Sequence, residues 1–336
     1  MRSVLVCAAV RVALICPVPP GSRLGNRITA LRWQRMLRDL GHRAFIDTGS
    51  TSRDYDAMIA LHAGKSAEAV RLSRQRYPGK PVVVALTGTD LYHDIHHEAA
   101  AREALRLADR LIVLHDLAAQ ELPPAMRGKV IVVPQSVPAL RRKPDPVGSV
   151  FEVAVVAHLR QVKDPLRTAL AARRLPAGSG IRVVHAGRAL TGGMRRAALA
   201  EQRANPRYRW LGELPRWKAR ALIARARVLS ITSRSEGGAN VLSEALAAGT
   251  PVIASRIPAM QAILGPSYPG LFPFGSTPAL ARLLARVERE PRFLAELGRQ
   301  CRARRGVVSP EREKAALRAV LEDLAGRIRA GGGGRK

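Results

Sequence analysis

Short apolar runs, each closed by a polar turn and followed by a segment of helical periodicity, recur along this chain. The pattern is plainest between residues 228 and 254. Val228, Leu229, Ser230 and Ile231 read as a buried strand, followed by the polar turn Ser233-Arg234-Ser235-Glu236-Gly237-Gly238-Ala239-Asn240. Val241, Leu242, Ala245 and Leu246 then recur at helical spacing, with Gly249 where a helix C-cap belongs and Pro251 just beyond. Residues 251–254 are the next apolar run. Strand, glycine-rich turn, helix and strand make one βαβ unit, its turn at the carboxyl end of the sheet, where open α/β folds bind ligands.

The same alternation organises the rest. Residues 10–16 read as a strand opening into a proline- and glycine-containing loop, with a helix over 29–40 stopped by Gly41. Further strands are expected at 56–62, 82–86, 111–114 and 130–133, with a helix at 67–76. The second half restarts with a strand at 151–157, the turn His158 to Pro165 and a helix to about 174. Strands at 181–186 (closed by Gly187) and 208–212, and a helix at 218–226, lead back to the unit above. Residues 278–330 are helical with interruptions. The divisions expected are a dispensable extension at 1–9, a first domain at 10–138, a proline-rich basic linker at 139–149, a second domain at 150–310, a C-terminal helix at 311–330 and a disordered tail at 331–336. Two successive parallel α/β halves imply two doubly wound Rossmann-like domains facing a central cleft.

Composition narrows the class. The chain has 336 residues, enough for two domains, and a net charge of +30 carried mainly by arginine. Such an excess fits polyanion binding or phosphorylated substrates. The arginines are scattered along helices and only 4% of residues are aromatic, whereas nucleic-acid grooves usually add stacking rings, so no nucleic-acid partner is expected. No apolar run reaches membrane-spanning length. Arg11 interrupts the first apolar stretch, which argues against a signal peptide. Cys7, Cys16 and Cys301 show no C-x-x-C pairing and read as free thiols of a reducing, cytoplasmic compartment.

Candidate chemistry gathers at strand ends. Gly237 and Gly238 allow close backbone approach, and the helix that follows offers free N–H groups to an anion. Glu236 and Glu244, one on the loop and one on the helix, are placed to accept hydrogen bonds from sugar hydroxyls; an N-terminal charge and a solvated residue read equally well from spacing alone. In the first half, Gly25, Asn26, Arg27 and Thr29 follow the first strand, His62 and Lys65 the second, and Thr87, Gly88, Thr89 and Asp90 the third. Thr29 and Asp90 also read as helix caps, Arg27 and Lys65 as surface charges. The glycine spacing is not G-x-G-x-x-G, so a dinucleotide site is not supported. His93, His96 and His97 read as exposed helix polarity rather than a zinc cluster, Asp54-Tyr55-Asp56 as a turn, and Trp33, Trp210 and Trp217 as packing residues.

These residues also carry a resemblance. Glu236 to Glu244 resembles the E-x7-E motif of GT-B nucleotide-sugar glycosyltransferases, together with the Ala-Gly-Thr-Pro-Val-Ile-Ala-Ser that follows. Val132 to Val137 resembles their interdomain segment, and Arg160 with Lys163 their basic pair. More closely, the chain is similar over about residues 10–320 to the selenosugar synthases of selenoneine biosynthesis. The pieces are Gly25 to Trp33, Ala60 to Ser66, Leu86 to Tyr92, His158 to Pro165 and Tyr208 to Gly212. The resemblance implies transfer from a UDP-sugar (UDP-N-acetylglucosamine or UDP-glucose) to selenophosphate, giving a 1-selenosugar with loss of UDP and phosphate. Arg160 and Lys163 would neutralise the diphosphate, Glu236 hold the sugar and Glu244 the ribose. His158, Gly187, Leu211, Gly212, Gly237, Gly238, Ala239 and Asn240 would complete the donor site. The first-half residues from Gly25 to Asp90 named above would hold the acceptor. No metal or other cofactor is implied; a selenophosphate synthetase and downstream selenoneine enzymes would be functional neighbours. A conventional GT-B enzyme with a hydroxyl acceptor is the alternative.

Overall fold

The computed structural model describes residues 9–22, 24–140, 144, 145, 148 and 150–332. Most of the expected N-terminal extension, Cys7, most of the expected linker and the end of the tail lie outside these residues. The chain forms two compact units: the described residues up to Gln135 together with those from Pro310 onward, and Ser136–Ser309. The division falls at Gln135 rather than 138, and the C-terminal helix, Pro310–Gly332, counts with the first unit. That helix also continues two residues into the glycine run expected as tail.

The first unit is built on a six-stranded parallel sheet of β1 (Arg11–Ile15), β2 (Arg43–Asp47), β3 (Ala57–Leu61), β4 (Val82–Ala85), β5 (Arg110–Val113) and β6 (Val130–Val132), in the order β2-β1-β3-β4-β5-β6. Alternate residues serve opposite faces. Val12 and Leu14 pack with Trp33, Leu37, Leu317, Val320 and Leu321, while Ala13 and Ile15 pack with Met58, Val70, Val84 and Leu105. Both faces are therefore covered, which is why these strands read as unbroken apolar runs. The C-terminal helix is fixed here by Glu313, wholly buried, which accepts from Arg32 Nε at 2.7 Å and Trp33 Nε1 at 2.7 Å. β2 escaped the sequence reading because Arg43-Ala44-Phe45-Ile46-Asp47 is only partly buried and charged at both ends.

The second unit holds β7 (Phe151–Val156), β8 (Ile181–Ala186), β9 (Tyr208–Trp210), β10 (Val228–Ile231), β11 (Val252–Ser255) and β12 (Leu271–Phe272), all parallel, in the order β12-β11-β10-β7-β8-β9. The chain winds outward from β7 through β8 and β9, then returns to the other side through β10. The switch point lies between β7 and β10, the place such sheets bind ligands. The helix Asn240–Ala248 follows β10, buries Leu242, Ala245 and Leu246, and ends at Gly249 with φ 68°, the left-handed C-cap expected from the sequence. Each buried leucine contributes about 1.5–3 kcal/mol. The first unit has its switch between β1 and β3. Each sheet thus has one pair of inner neighbouring strands, β1 and β3 or β7 and β10, whose carboxyl ends form a crevice.

Candidate active site

In the second unit the loops after β7 and β10 are fastened together. The backbone N–H of Arg234 donates to Val162 O (2.8 Å), and Thr232 Oγ1 donates to the carbonyls of Lys163 (3.1 Å) and Asp164 (2.8 Å). Asp164 takes the left-handed conformation, φ 43°, to turn the first loop, and pairs with Arg167 at 2.7 Å. On this frame Lys163 Nζ donates to both oxygens of Glu236 at 2.5 Å, and Ser233 Oγ donates to Glu236 Oε1 at 2.5 Å. Glu236 is 7% exposed. It is neither a solvated residue nor a simple helix-start charge. Its partner is the very lysine expected to neutralise a diphosphate, so Lys163 and Glu236 act as one charge-assisted pair.

The other donor-side residues follow β7, β8, β9 and β10 in the same sheet. Gly187 follows β8, and a Cβ there would fall 1.7 Å from Ala157 O. Only glycine lets the two strand ends approach this closely. Gly187 N–H donates to Gly212 O (2.7 Å), Leu211 N–H to His185 O (2.8 Å), and Trp210 Nε1 to Gly187 O (2.8 Å). His158 Nδ1 accepts the Arg188 N–H at 3.1 Å. Burial holds the His158 imidazole below its ordinary pKa; Glu213 opposes that shift, and Arg188, Arg160 and Lys163 reinforce it. Arg160 itself is exposed. A cluster of cations therefore surrounds the turn after β7, where the sequence predicted only Arg160 and Lys163. Ala239, φ 49°, turns the chain into the helix that begins at Asn240. Glu244 is 8% exposed and faces Arg216 Nε at 3.4 Å. The sequence reading missed Arg188, Ser233, Arg216 and Arg220. The i, i+4 spacing of the last two on one helix was the available signal.

In the first unit the candidate residues lie at the carboxyl ends of β1, β3 and β4. The helix Gly25–Asp39 starts four residues before the expected Thr29, so Gly25, Asn26 and Arg27 form its first turn rather than a loop. No side chain caps it, because the residue before Gly25 is Leu24. Thr29 is no cap but a buried helical residue whose Oγ1 accepts from Gln135 Nε2 at 3.3 Å. Asp90, fully buried, accepts backbone N–H groups of Ala63 (3.1 Å), Thr87 (3.1 Å) and Gly88 (2.7 Å), tying the loops after β3 and β4 together. It opens a π-helical turn, Asp90–Asp94, a form that recurs at functional sites. His62, with φ 75°, is 4% exposed; its Nδ1 accepts the Lys65 N–H at 3.3 Å and its Nε2 lies 3.4 Å from Thr89 Oγ1 and 3.6 Å from Asp94 Oδ2. Lys65 is exposed. Arg27 Nε and Thr87 Oγ1 are buried and have no hydrogen-bond partner among the described residues. Burial raises the pKa of the Cys16 thiol at the end of β1, and the nearby Arg27 guanidinium pulls it partly back.

Residues outside these two clusters fall into place. Asp54 and Asp56 both pair with Arg11, each at 2.5 Å, so the D-x-D spelling is a buttress of β1. Trp33 is buried, as expected of a packing residue, but Trp217 is 68% exposed. It starts a helix, Arg216–Arg225, whose inward residues are Leu222, Ile223 and Ala224. Among the described residues, no cluster of three His, Cys, Asp or Glu side chains is placed to hold a metal ion, and no helix is long and apolar enough to cross a membrane.

The sequence profile of the family described as glycosyl transferases group 1 matches residues 136–304, the second unit almost end to end. The chain belongs to the group 1 glycosyl transferases. No curated protein matches the sequence. Among solved structures it is similar to sucrose-phosphate synthase (tll1590) from Thermosynechococcus elongatus, with a TM-score of 0.74, 17% identity, and coverage of 94% of this chain and 99% of that one. Anabaena Alr3699/HepE, solved in complex with UDP-glucose, gives 0.72 and 15% identity over 94% and 100% of the two chains. An alpha,alpha-trehalose 6-phosphate synthase from Burkholderia multivorans gives 0.68 and 16% identity over 93% and 78%. These likenesses show the fold, the two parallel-sheet Rossmann-like domains of GT-B glycosyl transferases. In this family member the Lys163–Glu236 pair sits at the switch point of the matched domain.

Proposed function

We propose that the protein transfers a sugar from UDP-N-acetylglucosamine or UDP-glucose to selenophosphate in the cytoplasm, using no metal ion. Selenium attacks C1 as the bond from C1 to the UDP oxygen breaks; water then cleaves the P–Se bond, leaving the 1-selenosugar and phosphate. On the donor side, Arg160 and the amides of Gly238, Ala239 and Asn240 would meet the diphosphate, and the Lys163–Glu236 pair the sugar. Donors aimed at a leaving group that gains charge lower the barrier most where they are already fixed, and the fastened β7 and β10 loops supply that fixity. HepE, solved with UDP-glucose on the same fold, supports the nucleotide sugar. The selenosugar-synthase-like segments support the acceptor.

The observation that carries the acceptor half is the state of its two candidate bases. A hydroxyl acceptor needs a group in hydrogen-bond reach that takes its proton. Asp90 is fully buried and occupied by backbone amides, and both ring nitrogens of His62 face protein groups. Neither offers an accessible lone pair. Selenophosphate selenium is already anionic at neutral pH, so its site requires positive charge and donors, which Arg27, Lys65 and Thr87 provide. The test is incubation with each UDP-sugar, with and without selenophosphate, and mass spectrometry of the products. A selenosugar and UDP formed only when selenophosphate is present is the expected result. UDP released equally without it overturns the acceptor assignment in favour of a hydroxyl acceptor or water.

A further inference from the structure

Glu244 is not alone. The helix Arg216–Arg225 carries Arg216 and Arg220 one turn apart; Arg216 faces the carboxylate, and Arg220 lies within reach of its charge. Arg216 Nε stands 3.4 Å from Glu244 Oε1, longer than the about 2.7–2.9 Å of a tight charge-assisted bond. Arg220 donates through Nη2 to Pro138 O at 2.6 Å, while its Nε is buried with no hydrogen-bond partner among the described residues. Burial lowers the Arg220 pKa, the Glu244 charge raises it and Arg216 lowers it further, so all three groups share one field. Two cations against one carboxylate leave a positive surplus. A pair at this distance is oriented by charge, yet loose enough to open around an incoming polar group.

We propose that Arg216 is a positioning residue for the nucleotide: it aims the Glu244 carboxylate and, with Arg220, supplies the surplus charge that draws a nucleoside diphosphate to that carboxylate. This rests on the nucleotide-sugar reading above. The role is one of binding, so it belongs to KM and not to the chemical step. Arg216 is half exposed, and its helix is anchored by Leu222, Ile223 and Ala224, so its removal leaves the fold intact. The charge it adds is partly screened, which sets the expected loss at about fivefold in affinity.

The experiment is calorimetric titration of the wild-type protein with UDP and with uridine, repeated for Arg216→Ala, Arg216→Lys, Glu244→Gln and the Arg216→Ala/Glu244→Gln double variant, together with steady-state kinetics in UDP-sugar. Arg216→Ala is expected to weaken UDP about fivefold and raise the UDP-sugar KM to match, with kcat within about twofold; Arg216→Lys restores most of the loss. In the Glu244→Gln background the same change is expected to cost less, because the two act as a unit. An unchanged UDP affinity for Arg216→Ala, or a loss that simply adds to that of Glu244→Gln, overturns the inference while wild-type UDP binding stands. Wild-type protein that binds no UDP overturns the nucleotide reading and this inference with it.

Discussion

The two units carry the same kind of sheet and the same kind of strand-end site, yet they build those sites from different materials. In the second unit the central contact is between side chains: Lys163 and Glu236, joined by Ser233, across the β7 and β10 loops. In the first it is between a side chain and the backbone: Asp90 gathers the amides of Ala63, Thr87 and Gly88, leaving Arg27 Nε and Thr87 Oγ1 without partners. A paired acid and base at fixed loop positions holds a ligand whose hydroxyls and charges need mixed donors and acceptors. An acid turned inward onto amides leaves the buried donors of the same unit, Arg27 Nε and Thr87 Oγ1, unmatched by it, as the proposed anion site requires.

The largest expected effect tests the side-chain half. Glu236→Gln keeps the shape but ends the double acceptance from Lys163, freeing that ammonium and unsettling the loop it holds. Turnover of the UDP-sugar should fall about 10²- to 10³-fold, the scale seen when one fixed electrostatic partner is removed. Initial rates of UDP release measure it. A variant within about threefold of wild type would show that the pair only braces the loop and that Arg160 and the helix amides carry the transfer.

This difference in materials also decides what the sequence revealed. Glu236, Gly237, Gly238 and Glu244 were legible because motif chemistry and the strand-turn-helix pattern coincide, and the βαβ alternation exposed both sheets for the same reason. The strands that escaped, β2 and β12, are edge strands: β12 is buried but only two residues long, and β2 is partly exposed and charged at both ends. Asp90 was visible as a residue at a strand end, but its role depends on backbone N–H groups that no side chain announces. Arg216 was hidden because its partner lies 28 positions away on another helix. Thr29 misled because a threonine before an apolar helical run resembles a cap, whereas the helix had already begun at Gly25.

A second prediction sets one histidine in each unit side by side. His115 accepts the Ala118 N–H at Nδ1 and meets Tyr92 OH at Nε2 (2.9 Å); His185 meets Tyr208 OH (2.8 Å) and Ala157 O (2.9 Å). Burial lowers both to about 4. Above pH 6.5 both are neutral folded or unfolded, and neither affects stability. As pH falls from there to about 4, the unfolded chain binds protons that the folded chain refuses, so stability declines, by up to about 3 kcal/mol per histidine. Denaturant unfolding at a series of pH values should show this slope, and His115→Gln should remove the share that His115 contributes, up to about 3 kcal/mol. A flat profile across that window would mean that both rings protonate in place.

The smallest effect is the sharpest test of the backbone-built half. Thr87 Oγ1 is buried and unpartnered, so the hydroxyl costs desolvation and gives the fold nothing back. Thr87→Val conserves the volume and removes only that group. Stability should be unchanged or rise by up to about 1 kcal/mol, while the KM for the proposed anionic acceptor rises about tenfold, the lower end of what one hydrogen bond to a charged group is worth. Thermal melting and acceptor kinetics read the two sides separately. A lowered melting temperature with unchanged KM would assign Thr87 Oγ1 to the protein's own interior, and the inward-turned Asp90 would then be a loop tie rather than part of an anion site. A stable variant with a raised KM leaves one explanation for an orphaned donor at that strand end, which is that its partner arrives with the substrate.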